Sequence, residues 1–310
     1  MLHKLLQLTG KYLGKQKLSI LIYHQVLAQA DPMRPTEPTA AVFDWQMRLL
    51  RNYFTPLSLD DAITHLQHKS LPANAVCVTF DDGYLNNLTV AQPILQKYQI
   101  PATVYVATAF SNGENMWNDR LQYLFADESR SHLQLDDEII QLGDIAQRRN
   151  SAQQWLKRLK YLPVAERRNK IAHFYQQNNA AEQAALMMSP MQIKQLAASG
   201  VTIGAHTVDH PILKTQDADE QRRQIIESKQ QLEQWLGMEV KHFAYPNGVE
   251  GTDFDDTAVE IVRQSGFQSA VITNWGVSDS TTSQFKLKRF TPWDKTALRF
   301  HLRLLKNSLC

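Results

Sequence analysis

The chain has 310 residues, 43% of them hydrophobic, which is enough to bury a substantial core in a soluble globular protein. Its 33 basic and 31 acidic residues nearly balance, so the sequence lacks the charge pattern of a nucleic-acid-binding surface. Two cysteines cannot form a disulfide framework, and we expect a buried thiol at Cys77 and a tail thiol at Cys310.

Residues 1–17 predict a short basic amphipathic helix. Apolar residues recur there at roughly helical spacing, and lysines are available for the other side. Such a helix either closes one end of the domain or makes peripheral contact with a membrane. The segment lacks the apolar core of a secretory signal, and no run approaches the roughly 20 apolar residues of a membrane span. We therefore expect a cytoplasmic protein, membrane-associated if this helix binds lipid.

Short apolar runs, mostly β-branched or aromatic, predict strands that are buried on both faces. They span residues 19–23, 76–80, 102–107, 201–205, 241–245 and 268–273. Helices are predicted between them at 43–52, 59–66, 90–98, 190–198, 219–235 and 256–265. This alternation predicts an α/β fold with parallel strands and right-handed crossovers, in one domain over residues 1–310.

The alternation breaks between about residues 111 and 188, where Gln, Asn, Arg and Ala are abundant and the apolar spacing is helical. We predict a mainly helical insertion there. It is either a solvated excursion or a lid or wall of a substrate cleft. Trp117 and Arg120, near its beginning, offer a substrate an aromatic ring and a guanidinium.

An acidic pair, Asp81 and Asp82, directly follows the strand predicted at 76–80. Neighbouring side chains of a strand point to opposite faces, so both can reach one site only if the chain turns, which Gly83 permits. One carboxylate can then bind a cation while the other takes a proton from water. Taken alone, the motif also fits an ordinary turn.

A histidine pair follows the strand predicted at 201–205. His206 and His210 are four residues apart, which would put both imidazoles on one side of a helical turn. With one carboxylate they provide three protein ligands and leave a position open for water, as catalytic zinc requires. Cobalt, nickel, iron or manganese is also compatible with one such site. Asp209 could be a fourth ligand, but we expect it in solvent or beside an imidazole.

Two other predicted strands end in polar groups. His24 ends the first, where we expect a proton donor or a substrate contact. Tyr245, Pro246 and Asn247 end the fifth, so at least four strands deliver polar groups to the end where α/β barrels build their active sites.

Three motifs resemble those of the polysaccharide deacetylase family, also known as the NodB-homology or carbohydrate esterase family 4 group. TFDDGY at 79–84 resembles the first family motif, HTVDHP at 206–211 the second, and FAYPNG at 243–248 a variant of the third. The resemblance implies a deformed (β/α) barrel that removes acetyl groups from N-acetylated sugars.

The resemblance also implies roles for individual residues. Asp81 would be the base, and the metal would be held by Asp82, His206 and His210. A backbone N–H near Tyr84 would help to hold the oxyanion.

Two features depart from the family pattern. Ala244 stands where the third motif often has an arginine that orients the base, so either Arg120 supplies that cation or the base goes without it. The last motif, Leu-x-His, provides the general acid, and Leu298 and His301 have the wrong interval to match it. This leaves His24 as the candidate acid.

Residues 286–290 resemble the closing strand of the barrel. Within them, Arg289 would contact either a site carboxylate or a partner in a salt bridge elsewhere. With the substrate that the resemblance implies, Trp275, beyond the sixth predicted strand, would line the acetyl pocket or stack on the sugar.

The first functional hypothesis is a metal-dependent hydrolase of carbon–nitrogen bonds in linear amides. It would remove an N-acetyl group from an amino sugar in a bacterial surface-polysaccharide or glycolipid precursor pathway, a substrate class that comes from the resemblance. A cytoplasmic enzyme would meet lipid-linked or nucleotide-linked precursors. The alternatives are a catalytically weak sugar-binding or scaffold protein that retains the metal site, and an O-acetyl esterase or a hydrolase of another linear amide.

Overall fold

The computed structural model describes residues 2–308, and a curled parallel β-sheet forms its centre. The strands are β1 (Leu18–Tyr23), β2 (Thr55–Pro56), β3 (Ala75–Phe80), β4 (Ala102–Val106), β5 (His132–Leu135), β6 (Glu138–Gln141), β7 (Thr202–Ala205), β8 (His242–Ala244) and β9 (Ser269–Val271). The sheet order is β1-β3-β4-β7-β8-β9, with β2 beside β3, and all its pairs are parallel. Every residue of β1 and β3 is buried, which explains their continuous apolar sequence.

Residues 286–290 close the curl between the two edges of the sheet. The Leu287 amide donates to the Ala270 carbonyl, and the Phe290 amide donates to the Ile20 carbonyl. Single backbone bridges therefore join this segment to β9 and to β1. The result is a deformed (β/α) barrel, which confirms the fold class predicted from the sequence. All strands of the sheet present their carboxyl ends at the same end of the barrel.

Helices surround the sheet and form the insertion. Their bounds are α1 (Leu2–Leu13), α2 (Ala40–Tyr53), α3 (Leu59–Gln67), α4 (Gln92–Tyr98), α5 (Trp117–Ala126), α6 (Ile145–Leu159), α7 (Val164–Gln177), α8 (Pro190–Ala198), α9 (Ala218–Leu236), α10 (Asp256–Gln264) and α11 (Ala297–Asn307). Local sequence sets several of these limits. Ser189 and Gln192 form a capping box at the start of α8, and Gly237, in the left-handed conformation, ends α9.

The insertion is mainly helical, as predicted, and has a small core of its own. Helices α5, α6 and α7 pack around Phe125, Trp155 and Phe174. The sequence prediction missed the antiparallel hairpin of β5 and β6, whose strands have only four residues each. Runs of four residues are too short for their periodicity to identify a strand within a segment whose apolar spacing is mainly helical.

Helix α1 covers the amino end of the barrel, away from the carboxyl ends of the strands. Asn74, just before β3, donates its side-chain N–H to the Gln7 carbonyl, and His3 contacts His301 of α11. The helix therefore closes one end of the domain, while Leu5 and Leu8 on its other side are more than half exposed. Among the helices within residues 2–308, none is long and apolar enough to cross a membrane.

Of the two cysteines, only Cys77 lies within the described residues. Cys77 is buried in β3, and burial raises the pKa of its thiol, in keeping with a structural role. Cys310 lies outside the described residues.

Candidate active site

The chain turns sharply after β3, at the acidic pair. Asp82 has a φ of +75° and Gly83 a φ of +89°, both in the left-handed region. A Cβ atom on Gly83 would lie 3.1 Å from Val106 Cγ1, so space as well as conformation favours glycine. Strain in a non-glycine residue such as Asp82 is characteristic of functional sites, where the surrounding fold holds the residue in place.

Three side chains form a cluster suited to a metal ion. The ligand atoms of Asp82, His206 and His210 all lie within 4.8 Å of one another. Asp82 Oδ1 is 3.5 Å from His206 Nε2 and 3.4 Å from His210 Nε2. This oxygen is buried, and no hydrogen-bond donor reaches it from anywhere in residues 2–308. A buried carboxylate oxygen without a partner is costly, and one divalent cation between these donors would satisfy it.

The histidine pair reaches this cluster from a loop and not from the helical turn that the spacing predicts. Thr207 and His210 both have positive φ, +65° and +51°, and the Thr207 hydroxyl accepts the His210 amide at 3.1 Å. His206 Nδ1 lies 2.7 Å from the Ala244 carbonyl, to which it donates, and this leaves Nε2 free for a ligand bond. Ala244 therefore supports the cluster through its backbone.

Burial and neighbouring charges keep two of the three donors in the protonation state that metal binding needs. Burial raises the pKa of Asp82, but the neighbouring imidazoles of His206 and His210 together outweigh it, and the net pKa is lowered. Burial lowers the pKa of His210 to about 3, so its imidazole is neutral at physiological pH. An ionised carboxylate and a neutral imidazole both have lone pairs available for a cation.

Asp81 is held by a buried arginine from the other end of the sequence. Arg289 Nη1 donates to Asp81 Oδ1 and Nη2 to Oδ2, each at 2.7 Å, and Arg289 is completely buried. Further hydrogen bonds from Arg289 to the Thr79 hydroxyl and the Ile272 carbonyl, both at 3.2 Å, fix the guanidinium. Burial raises the pKa of Asp81, but the charge and hydrogen bonds of Arg289 together with the neighbouring His206 outweigh it, so the pKa is lowered and the carboxylate stays ionised.

This contact corrects the expectation for Arg120. The Arg120 guanidinium pairs with Glu182 and lies 4.6 Å from the ring centre of Tyr175, both within the insertion. Arg289 therefore provides the cation that is absent at Ala244. Contact with a site carboxylate is one of the two interpretations that the sequence leaves open for this residue. The sequence indicates this contact by placing a charged residue two positions after the inward-facing Leu287, on the same face of the closing segment.

Tyr84 is fixed by two residues that sequence reasoning did not single out. Its hydroxyl donates to Asp119 Oδ2 at 2.8 Å, and Arg34 Nη2 lies 2.9 Å from Asp119 Oδ1. Tyr84 and Met187 face each other across a single antiparallel bridge, whose hydrogen bonds are made by the residues on either side of them. The bridge therefore does not use the Tyr84 amide. That amide remains available to an oxyanion, as the resemblance implied.

The remaining predicted residues divide into two groups. His24 directly follows β1, and the carbonyl of the preceding Tyr23 accepts the Asp81 amide at 2.9 Å, so His24 lies at the same strand ends as the cluster. Trp117 and Asn247 line a depression of about 230 Å³ together with His210. Asp209 is not part of the cluster, since it contacts Arg223 and Gln224 of α9.

The structure does not bring the other predicted contacts to the site. Tyr245 belongs to the core, where its ring stacks on Phe254 at 4.0 Å and its hydroxyl donates to the Phe285 carbonyl. Pro246 is buried, and its carbonyl accepts the Gly248 amide in a tight turn. Trp275 lines a different depression with α11 and stacks on Phe290 at 6.1 Å. The expectation of an acetyl pocket at Trp275 is therefore wrong.

A curled parallel sheet with an Asp-His-His cluster and an arginine-held aspartate at its carboxyl end defines an α/β barrel with the parts of a hydrolytic site. The family model of polysaccharide deacetylase matches residues 68–138 and 154–270, and the chain therefore belongs to the polysaccharide deacetylase family.

Individual relatives agree with this membership at low sequence identity. The chain is 20% identical to the Bacillus subtilis protein YxkH over 274 residues, which are 88% of this chain and 70% of that protein. Its fold is similar to the deacetylase PplD of Streptococcus pyogenes, with a TM-score of 0.64, 20% identity, and coverage of 93% of this chain and 98% of the other. IcaB from Ammonifex degensii gives a TM-score of 0.61, 20% identity, and coverage of 95% and 98%.

Proposed function

We propose that this chain is a metal-dependent hydrolase that removes an N-acetyl group from an amino sugar. The observation that carries the proposal is the unpartnered Asp82 Oδ1 between two imidazole nitrogens, with Asp81 held ionised beside it. Asp82, His206 and His210 would hold one divalent cation, for which zinc fits best and cobalt, nickel, iron or manganese is compatible. Such a cation would polarise the acetyl carbonyl and lower the pKa of the attacking water.

The protein's own groups have separate tasks in this reaction. Asp81, oriented by Arg289, accepts a proton from the attacking water. The Tyr84 amide donates a hydrogen bond to the developing oxyanion. His24 donates a proton to the amine as the carbon–nitrogen bond breaks, and acetate and a free amino sugar leave.

If His24 is the general acid, its role will depend on the leaving group. His24→Asn should lower kcat for an N-acetyl sugar by at least about 100-fold, because an amine must be protonated to depart. The same variant should hydrolyse 4-nitrophenyl acetate nearly as well as the wild type, since the phenolate needs no proton. Exposed His173 on α7 provides a control as His173→Asn. Equal loss on both substrates, or loss on neither, would rule His24 out as the acid.

The proposed activity is tested by acetate release from matched N-acetylated and O-acetylated sugars. We expect release from the N-acetylated sugar, and we expect it to stop on chelation and in His206→Ala. Release from the O-acetylated sugar alone would identify an esterase. Sugar binding without acetate release from either substrate would favour the scaffold alternative. The missing arginine at Ala244 no longer supports that alternative, because Arg289 holds the base.

The proposed substrate is the lipid-linked or nucleotide-linked precursor of a bacterial surface polysaccharide or glycolipid, met in the cytoplasm. We further propose that α1 makes peripheral contact with membrane lipid. Leu2, Leu5, Leu8 and Tyr12 are 50%, 61%, 56% and 89% exposed, and the exposed Lys4 and Lys11 lie at one edge of this apolar stripe.

Flotation with liposomes that contain anionic lipid tests this contact. We expect the full chain to float and a Leu5→Ser/Leu8→Ser variant to remain in the dense fraction, because it loses apolar area from the stripe. Ile139→Ser removes an equally exposed apolar side chain from the insertion and should float like the wild type. Equal recovery of all three proteins in the dense fraction would refute membrane contact.

A further inference from the structure

The depression beside the metal cluster is rich in positive charge. It has a volume of about 230 Å³, and two of its residues, His210 and Asn247, come from the carboxyl end of the barrel. The rest of its lining comes from the insertion: Trp117, Asn118, Leu156, Lys157, Lys160 and Arg167. The insertion therefore forms one wall of the cleft at the site, and this wall carries three cationic side chains.

Arg167 is the most informative of these residues. It is only 3% exposed, and its guanidinium lies 4.6 Å from the ring centre of Trp117. One of its nitrogens donates to the Lys160 carbonyl at 3.3 Å, but no carboxylate of residues 2–308 lies within ion-pair distance of it. Buried charges in proteins are normally paired, because removing an ion from water is energetically costly. Arg167 is therefore a buried cation without its own anion, at the edge of the candidate active site.

The neighbouring groups extend this pattern. Lys157 is exposed at the rim of the depression and, within the described part of the chain, also has no acidic partner. Lys160 lies 3.6 Å from Asp253, a long contact. Asn118 Oδ1 is buried without a donor from the described residues, and a sugar hydroxyl would supply one. Three cations thus share one carboxylate next to an unused hydrogen-bond acceptor.

We infer that this depression binds a phosphate or diphosphate group attached to the acetylated sugar. The guanidinium and the two ammonium groups can together bind several phosphate oxygens. The acetyl group of the same sugar would then lie toward the adjoining Asp-His-His cluster. A neutral polymer would leave the Arg167 charge unpaired. The inference rests on the proposed function and narrows it to nucleotide-linked or lipid-linked sugars, which share this chemistry.

Equilibrium binding to the metal-loaded full chain tests the inference without requiring turnover. The probes are UDP-N-acetylglucosamine, a short-chain polyprenyl diphosphate N-acetylglucosamine, and N-acetylglucosamine as the neutral reference. Arg167→Met should weaken binding of the phosphorylated probes by about 10-fold or more, as expected for loss of a buried charged hydrogen bond. Lys157→Ala should weaken it by about 2- to 5-fold, as for an exposed pair. Binding of N-acetylglucosamine should not change.

Arg158 provides the matched control, because it follows Lys157 on α6 and already pairs with Glu138. Arg158→Ala should bind all probes like the wild type. Tighter binding of the nucleotide or of the polyprenyl probe identifies which carrier the site takes, and either result supports the inference. Equal affinity for phosphorylated and neutral sugars, or full affinity in Lys157→Ala and in folded Arg167→Met, would overturn it. Arg167-dependent binding without acetate release would support the subsite while refuting the proposed reaction.

Discussion

Asp81→Asn is expected to lower kcat for acetate release by about 10²- to 10⁴-fold, the usual contribution of a general base. Asparagine keeps the shape of the side chain but cannot accept the proton from water. Because Asp81 is not one of the three clustered donors, the variant should bind the same amount of metal as the wild type. Acetate release and bound metal, measured on the same samples, test this directly.

The neighbouring aspartate provides the matched comparison. Asp82→Asn should lose metal affinity together with activity, because Asp82 Oδ1 lies between both imidazoles of the cluster. The two variants differ by one position in the sequence and separate proton transfer from cation binding. If Asp81→Asn lost metal while Asp82→Asn kept it, the roles assigned here would be reversed.

Arg289→Met should have the largest combined effect on stability and activity. Breaking a buried ion pair by removing one partner costs about 3–5 kcal/mol, because the remaining charge is left without compensation. Asp81 would then be buried without the charge that keeps its pKa low, so its pKa should rise. The variant should therefore unfold at lower urea concentration, and its remaining activity should require higher pH than that of the wild type.

The pH dependence of stability provides a check on the same pair. The folded-state pKa of Asp81 is lowered, so its contribution to the free energy of unfolding is present above the unfolded pKa of about 4. That contribution disappears as the pH falls through the folded pKa, and the stability difference between the wild type and Arg289→Met should narrow in acid. Arg289→Lys should be intermediate, since lysine keeps the charge but cannot form two parallel bonds. Equal stability of wild type and Arg289→Met at neutral pH would contradict the buried pair.

The sequence predicted the parts of the site that follow directly from strand ends. Asp82 follows β3 and His206 follows β7, and parallel strands bring their carboxyl ends to one end of a barrel. The spacing of His206 and His210 predicted their meeting, although by a helical turn, whereas two residues with positive φ produce it. Backbone conformations of this kind depend on the surrounding fold and are not visible in spacing.

Contacts between distant segments could not be predicted in the same way. Arg289 and Asp81 are 208 residues apart, and only closure of the barrel places residues 286–290 beside β1. Tyr245 ends one apolar run and Trp275 follows another, but the direction in which the chain leaves a strand is not encoded locally. Tyr245 turns into the core against Phe254, and Trp275 turns toward α11.

The most direct measurement is a metal titration of the chelated protein, with acetate release from an N-acetylated sugar and bound zinc recorded together. Asp82, His206 and His210 form one cluster, so the proposed mechanism predicts no release from the stripped protein and a rise that saturates at one zinc per chain. His206→Ala should show neither tight binding nor release. Full acetate release from the stripped protein, with no bound metal, would contradict a metal-dependent deacetylase.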